Sequence, residues 1–238
     1  EEYEKTTFSD ALKFLAGKAG VKLTVSEART EADRKRDLIY TLNSLAAQYY
    51  EYLLFSHKAG DKARAYVLEK RKQPEALLKL FQVGYAPGSG YGLVDFLTKK
   101  KNYNPQDLVD AGLAFRQGSR VVDFFRDRIM FPITDPRGNI IAFSGRALDN
   151  ETMPKYVNTK ETLLYRKGET VFGLNLARDE IKKQGSVILM EGEFDVISSH
   201  REGIGNTVAV KGTALTPEQI DLLRRYSQKL VFCFDTDA

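Results

Sequence analysis

From Gly185 onward, short apolar runs alternate with helical segments, and that alternation leaves few folds open. Residues 186–190 form a run of strand length, 193–202 carry a helical pattern, and 207–210 are a second short apolar run. Thr216, Pro217 and Glu218 then supply an N-cap, a proline suited to the first helical position and an acidic first turn, so another helix opens there. Residues 230–234 are a third strand. Parallel neighbours need a crossover and a helix is the usual one, so strand–helix–strand–helix–strand predicts a parallel sheet.

The residues before it use two other periods. Phe8, Leu12, Leu15, Ala16 and Ala19 recur at helical spacing behind a capping Ser9 or Asp10. An amphipathic stretch from about residue 31 to 57 places Leu38, Leu42, Leu45, Tyr49 and Leu53 on one stripe. Gly60 ends it, Asp61 opens a helix to about residue 72, and Gln73-Pro74-Glu75 starts a short third one. Residues 84–90 read as a loop by composition, with helices near 93–100 and 105–111 after them. Beyond Gly112 the period falls to two. Val121, Ile129, Phe131 and Ile133 are strand-like, residues 134–139 are strong turn chemistry, and 140–143 return, which predicts a β-hairpin over 128–146. The expected class is therefore α/β, a mixed α+β N-terminal subdomain over residues 1–168 followed by a parallel sheet with flanking helices over 169–238. The chain stops just after the third strand, so the sheet is expected to be partial; an opening without methionine or apolar signal region likewise reads as a cut inside a longer chain.

Composition narrows the function classes. No run of about 18 apolar residues exists, so no membrane span is expected. Cys233 is the only cysteine and His57 and His200 the only histidines, which excludes an internal disulfide and argues against a structural zinc site. Cys233 lies in the apolar run of the third strand, where a buried, inert thiol is expected. Between Arg116 and Lys167, ten basic residues stand against six acidic ones, a net +4 equal to that of the whole chain. A basic middle points to a polyanion partner.

The sharpest chemistry lies at strand ends. Glu191 directly follows one strand of the parallel sheet, and Asp235 and Asp237 follow another. Open parallel sheets bind ligands at the carboxyl ends of their strands, so these acids are expected at one edge. Clustered carboxylates repel unless a cation lies between them, and an all-oxygen set suits Mg²⁺ or Mn²⁺. An isolated Asp-x-Asp is commonly only a polar turn, and Glu191 or Asp195 alone could serve a helix N-terminus; two acidic strand ends together are more specific.

Glu191-Gly192-Glu193-Phe194-Asp195-Val196-Ile197 and Phe234-Asp235-Thr236-Asp237 resemble the Toprim pattern shared by bacterial primases and type IA and II topoisomerases. Phe125-Arg126-Asp127-Arg128-Ile129-Met130-Phe131-Pro132-Ile133 resembles the basic motif of the bacterial DNA primases, as do Gly145-Arg146, Pro154-Lys155-Tyr156-Val157-Asn158-Thr159, Tyr165-Arg166-Lys167-Gly168 and Phe172-Gly173-Leu174. The resemblance covers residues 115–238 in order and spacing, and the helical front half more loosely.

It implies a primase catalytic core whose parallel sheet is a Toprim domain, making short RNA primers on single-stranded DNA from ribonucleoside triphosphates. Glu191, Asp235 and Asp237 would hold divalent Mg²⁺ or Mn²⁺, with Glu191 the proposed general base and Asp195 in support. Arg126 and Arg128, two apart and so on one strand face, together with Arg146, Lys155 and Lys167, would meet template, RNA–DNA hybrid and triphosphates. Tyr156 and Asn158 are secondary candidates for base or sugar contacts, Tyr156 being equally suited to half-buried packing.

The family's zinc-ribbon module, its helicase-binding C-terminal domain and a later acidic cluster have no counterpart in these residues. Zinc is therefore expected only in an upstream module and the replicative helicase only through a downstream one. The fragment alone is expected to be silent, and a monomeric protein of the bacterial cytoplasm is implied. Two alternatives stay open: a Toprim nuclease or topoisomerase fragment, for which none of the twelve tyrosines has a recognisable nucleophile context, and a non-catalytic single-stranded nucleic-acid binding module.

Overall fold

The computed structural model describes residues 8–20, 30–149, 151–210 and 215–234. The chain falls into two compact units, Glu1–Lys35 and Arg36–Ala238. In the first, α1 spans Phe8–Ala19, so Ser9 and Asp10, expected as caps, lie inside its first turn. α2, Glu31–Ser56, also starts there: Thr30 N–H donates to Asp33 Oδ2 (3.2 Å) and Asp33 N–H to Thr30 Oγ1 (3.1 Å), satisfying two donors a helix start leaves over.

In the second unit the buried stripe of α2 centres on Ile39, Leu42, Ala46 and Tyr50, while Leu38, Leu45 and Tyr49, expected on it, sit at its margin. The cause is a close approach: a Cβ on Gly84 would lie 2.5 Å from Tyr50 Cβ, so the Tyr50 face is the one the strand at Gly84 presses on. α3, Asp61–Ala65, continues as a single π turn, Tyr66–Lys70, closed by Arg71 N–H to Tyr66 O at 2.9 Å. α4, Glu75–Leu80, follows. The loop expected over 84–90 is corrected by β1, Gly84–Ala86, a three-residue strand whose composition alone does not show it. α5, Gly92–Asp95, runs into a second π turn, Phe96–Lys100, and α6 covers Pro105–Asp110. β2, Ala114–Gln117, and β3, Arg120–Asp123, form a small hairpin.

The predicted larger hairpin is present as β4, Arg128–Thr134, and β5, Ile140–Ala147, its turn held by the Asp135 carboxylate accepting from Arg137 and Asn139 N–H at 2.9 Å each. β6, Tyr156–Asn158, adds to β5, giving the antiparallel order β1-β4-β5-β6. Alternation along β4 sends Met130 to the α2 side and Ile129 and Phe131 to the other.

The second sheet has the order β10-β8-β9-β7, from β7 (Val171–Phe172), β8 (Val187–Met190), β9 (Thr207–Val210) and β10 (Leu230–Phe232). The three expected strands are parallel, and β7, too short to show in the sequence, pairs antiparallel with β9. α7 (Leu174–Gln184) and α9 (Pro217–Arg224) cover one face through Leu174, Ala177, Ile181 and Leu223. α8 (Glu193–Arg201) covers the other, where Phe194, Val196 and Ile197 share a core with Ile129 and Phe131 of the first sheet. The expected α/β class is thus the observed one. Cys233 is exposed, correcting the expectation of a buried thiol: among the described residues β10 pairs with β8 alone, so its apolar run is paired on one side. Among the described residues no helix is long and apolar enough to cross a membrane.

Candidate functional site

Glu191 leaves β8 at its carboxyl end and is exposed. β10 runs beside it in register, Phe232 opposite Leu189, and Cys233 N–H donates to Leu189 O at 2.9 Å. The described part of β10 therefore reaches the edge where Glu191 stands, as parallel strands require. Asp235 and Asp237 follow Phe234 by one and three residues and lie outside the described residues. Among the described residues no group of three or more His, Cys, Asp or Glu is placed to hold a metal. An exposed carboxylate at a strand end, with two more acids next in the chain after the paired strand, fits an oxygen-loving divalent cation by donor type.

Gly192 shapes this edge. A Cβ there would lie 2.8 Å from Asp195 Oδ2 and 3.9 Å from the Tyr156 hydroxyl, so its absence lets both polar groups close on the start of α8. Asp195 is exposed on the first turn of α8, where a carboxylate also favours the helix dipole. Glu193, part of the Toprim-like run but not among the expected site residues, is buried at 2% exposure. The available signal was its place in the Glu-Gly-Glu-Phe-Asp run.

The arginines separate. Arg126 and Arg128 do not share a strand face: Arg126 is exposed before β4 and Arg128 buried at its first position. Asp127 between them has φ 48°, a left-handed residue that breaks two-residue alternation. Arg126 Nε donates to Asp123 O at 3.3 Å and its guanidinium lies 5.5 Å from the Phe115 ring centroid. Arg128 donates to Gly145 O (3.3 Å), Lys155 O (3.2 Å) and Pro154 O (2.9 Å), fastening β4 to β5 and to the segment before β6. Arg146, 3% exposed, donates from Nε to the Tyr156 hydroxyl (3.2 Å) and from Nη1 to Ala147 O (3.1 Å) and the Tyr66 hydroxyl.

Tyr156 lies opposite Arg146 in the β5–β6 register and is 37% exposed, while its hydroxyl accepts from Arg146. Burial pushes its phenol up to about 12, helped by Glu193 and opposed by Arg146 and Arg71. Asn158 lies opposite Ser144, and Asn158 Oδ1 and Ser144 Oγ are buried without a hydrogen-bond partner among the described residues. Lys155 is exposed beside them. Lys167 is exposed on a short turn that α9 anchors: Gln219 Nε2 donates to Thr170 O (2.9 Å) and Lys167 O (3.4 Å), and Thr216 Oγ1 to Gly168 O. The structure thus gathers Tyr156, Arg146, Gly192 and Asp195, and keeps Arg128 as a fastener. It adds Tyr66, Arg71 and Phe194, for which helical periodicity carried no functional signal.

A family model described as the DNA primase catalytic core, N-terminal domain, matches residues 49–178, and one described as the Toprim domain matches 185–238. The DNA primase of Lactococcus lactis subsp. lactis is 37% identical over 242 residues, covering 100% of this chain and 37% of its own length. That of Synechococcus elongatus is 39% identical over 246 residues, covering 99% and 35%. Among solved structures, the RNA polymerase domain of the Mycobacterium tuberculosis primase aligns with a TM-score of 0.79 at 33% identity, over 85% of this chain and 67% of that one. A primase catalytic domain bound to single-stranded DNA aligns at 0.77 and 34% identity, over 86% and 63%. The chain spans between about a third and two fifths of the length of the curated relatives it matches.

Proposed function

Because the chain belongs to the DNA primase catalytic-core family, we propose that it carries the nucleotidyl-transfer centre of an RNA polymerase that lays short primers on single-stranded DNA. The observation that carries this reading is Glu191 at the carboxyl end of β8, beside the in-register β10 that leads to Asp235 and Asp237. In the reaction, the 3′-hydroxyl of one ribonucleotide attacks the α-phosphorus of the next; the new O–P bond forms as the bond to pyrophosphate breaks. Glu191, exposed at the strand end, would accept the hydroxyl proton as general base. Mg²⁺ or Mn²⁺ held by Glu191, Asp235 and Asp237 would stabilise charge on the attacking and leaving oxygens. Asp195, close to Gly192, supports this edge.

Lys155, Lys167 and Arg126 offer exposed cations for template phosphates and triphosphates. Tyr156 presents a partly exposed ring for a base or sugar, and Asn158, two residues on along β6, stands as a secondary candidate. A primase domain bound to single-stranded DNA among the similar structures supports the choice of template.

The test uses the full polymerase that contains this chain, with single-stranded DNA, labelled ribonucleotides and Mg²⁺ or Mn²⁺. Short RNA is expected, falling about a hundredfold or more in Glu191→Gln with the fold intact. DNA breakage without RNA would assign the acids to a Toprim nuclease. Template binding alone, indifferent to metal, would leave a binding module.

A further inference from the structure

One buried amide joins two elements. Gln219, fully buried in the first turn of α9, accepts from Thr216 N–H through Oε1 (3.1 Å) and donates from Nε2 to Thr170 O (2.9 Å) and Lys167 O (3.4 Å). Beside it, Thr216 Oγ1 accepts from Gln219 N–H (3.1 Å) and donates to Gly168 O. Thr170 Oγ1 and Glu169 N–H both donate to Arg166 O, at 2.9 and 3.0 Å. The start of α9 thus holds the carbonyls of residues 167, 168 and 170, and the turn itself closes on that of 166. The far end of α9 is fixed as well: Ser227 N–H donates to Leu223 O (3.1 Å) and Ser227 Oγ to Gly185 O (2.8 Å), just ahead of β10.

A turn at the surface can leave its carbonyls to water, whereas a buried amide must be desolvated and each bond it makes adds little net stability. A capping box needs only an oxygen at this position, and glutamate supplies one as well as glutamine does. The amide nitrogen therefore serves the turn, where it makes two bonds. What the arrangement secures is position. Lys167 opens the turn Lys167–Glu169 and is exposed. Among the described residues it forms no ion pair, while Arg166 beside it pairs with Glu169 at 3.3 Å. A lysine ammonium is a point charge on a flexible stem, so it meets a phosphate at a fixed place only if its backbone is held.

We propose that Gln219 is a positioning residue for Lys167: its amide nitrogen mounts the turn on α9, so that the exposed ammonium meets a phosphate of triphosphate or template at a set place. This rests on the polymerase reading above. α9 is then a brace with two loads, the Lys167 turn at its start and, beyond Ser227, the strand that leads toward Asp235 and Asp237. Gln219 acts through Lys167 and touches neither substrate nor metal.

The full polymerase that contains this chain is assayed as wild type, Gln219→Glu, Lys167→Ala and the double variant. The readouts are kcat and KM for ribonucleotide, affinity for single-stranded DNA by anisotropy, and melting temperature. Glutamate keeps the oxygen that caps Thr216 and turns its other oxygen against two carbonyls, so the helix stays capped while the turn is pushed away. Gln219→Glu is expected to melt near wild type and to weaken what Lys167→Ala weakens, KM for a triphosphate contact or DNA Kd for a template contact, by about three- to tenfold. In the Lys167→Ala background it is expected to add nothing. Gln219→Asn keeps the amide one methylene shorter and is expected to recover part of the loss; it also takes the glutamate variant's place in the cycle if that fails to fold. A folded variant with unchanged KM and Kd overturns the proposal, as do losses that multiply in the double variant or a Lys167→Ala protein that matches wild type throughout. A wild-type protein that makes no RNA defeats the polymerase reading, and the same cycle in DNA affinity still decides whether Gln219 acts through Lys167.

Discussion

An arginine only 7% exposed needs acceptors for its donors, and Arg128 has three backbone carbonyls. Removing it would leave those carbonyls buried with fewer donors and open a gap between β4 and the segment before β6. Arg128→Ala is expected to cost about 2–4 kcal/mol, read as a lower denaturant midpoint with unchanged slope. Lysine is not expected to rescue it, because a single ammonium cannot reproduce the planar fork. A variant as stable as wild type that binds DNA more weakly would return Arg128 to the template surface. Which of two neighbouring arginines is buried was not legible from Phe-Arg-Asp-Arg, since the deciding feature is the backbone angle at Asp127. Arg71 was equally silent: its partners Tyr66 and Phe194 are five residues before it and more than a hundred after it.

Elements whose stop and start signals lie inside themselves were legible. The start of α9 is an example, with Thr216 as N-cap, Pro217 first and Gln219 closing a capping box. The β4–β5 hairpin is another, because Asp135-Pro136-Arg137-Gly138-Asn139 carries its own turn chemistry. β1 was not legible, because it is a strand only through pairing with β4, Tyr85 opposite Ile129. Gly84 pays for that position with its missing side chain: a Cβ would stand 2.5 Å from Tyr50 Cβ and 2.6 Å from the Tyr50 carbonyl carbon. Gly84→Ala is accordingly expected to destabilise the protein by about 1–3 kcal/mol, since helix and strand must separate. Calorimetric melting checks this, and an unchanged transition would mean that α2 yields without strain.

At the scale of the whole molecule, the two sheets meet through α8, and the edge where Glu191 stands depends on that packing. The family was readable because the order of its motifs along the chain is distinctive; the burial of Arg146 and Glu193 follows from long-range packing that no local pattern records. His200, on α8 against Phe81 with ring centroids 5.1 Å apart, offers a probe of that packing. Burial holds its pKa below the ordinary histidine value, partly offset by a hydrogen bond with the Thr207 backbone. The folded chain therefore takes up this proton less readily than the unfolded one. Stability is expected to hold above about pH 6.5 and to fall as pH drops from there through the lower folded value. Denaturation midpoints between pH 8 and 5.5 should show that decline flattened in His200→Gln; an equal decline would assign the titration elsewhere, the only other histidine being His57. The pairing of β10 with β8 has a practical corollary. This chain's single thiol, Cys233, is both accessible and tied through its own N–H to Leu189, two residues before Glu191. A maleimide fluorophore attached there would carry one dye per chain beside the carboxyl end of β8, so that a change in the surroundings of Glu191 reads out as a change in light emission.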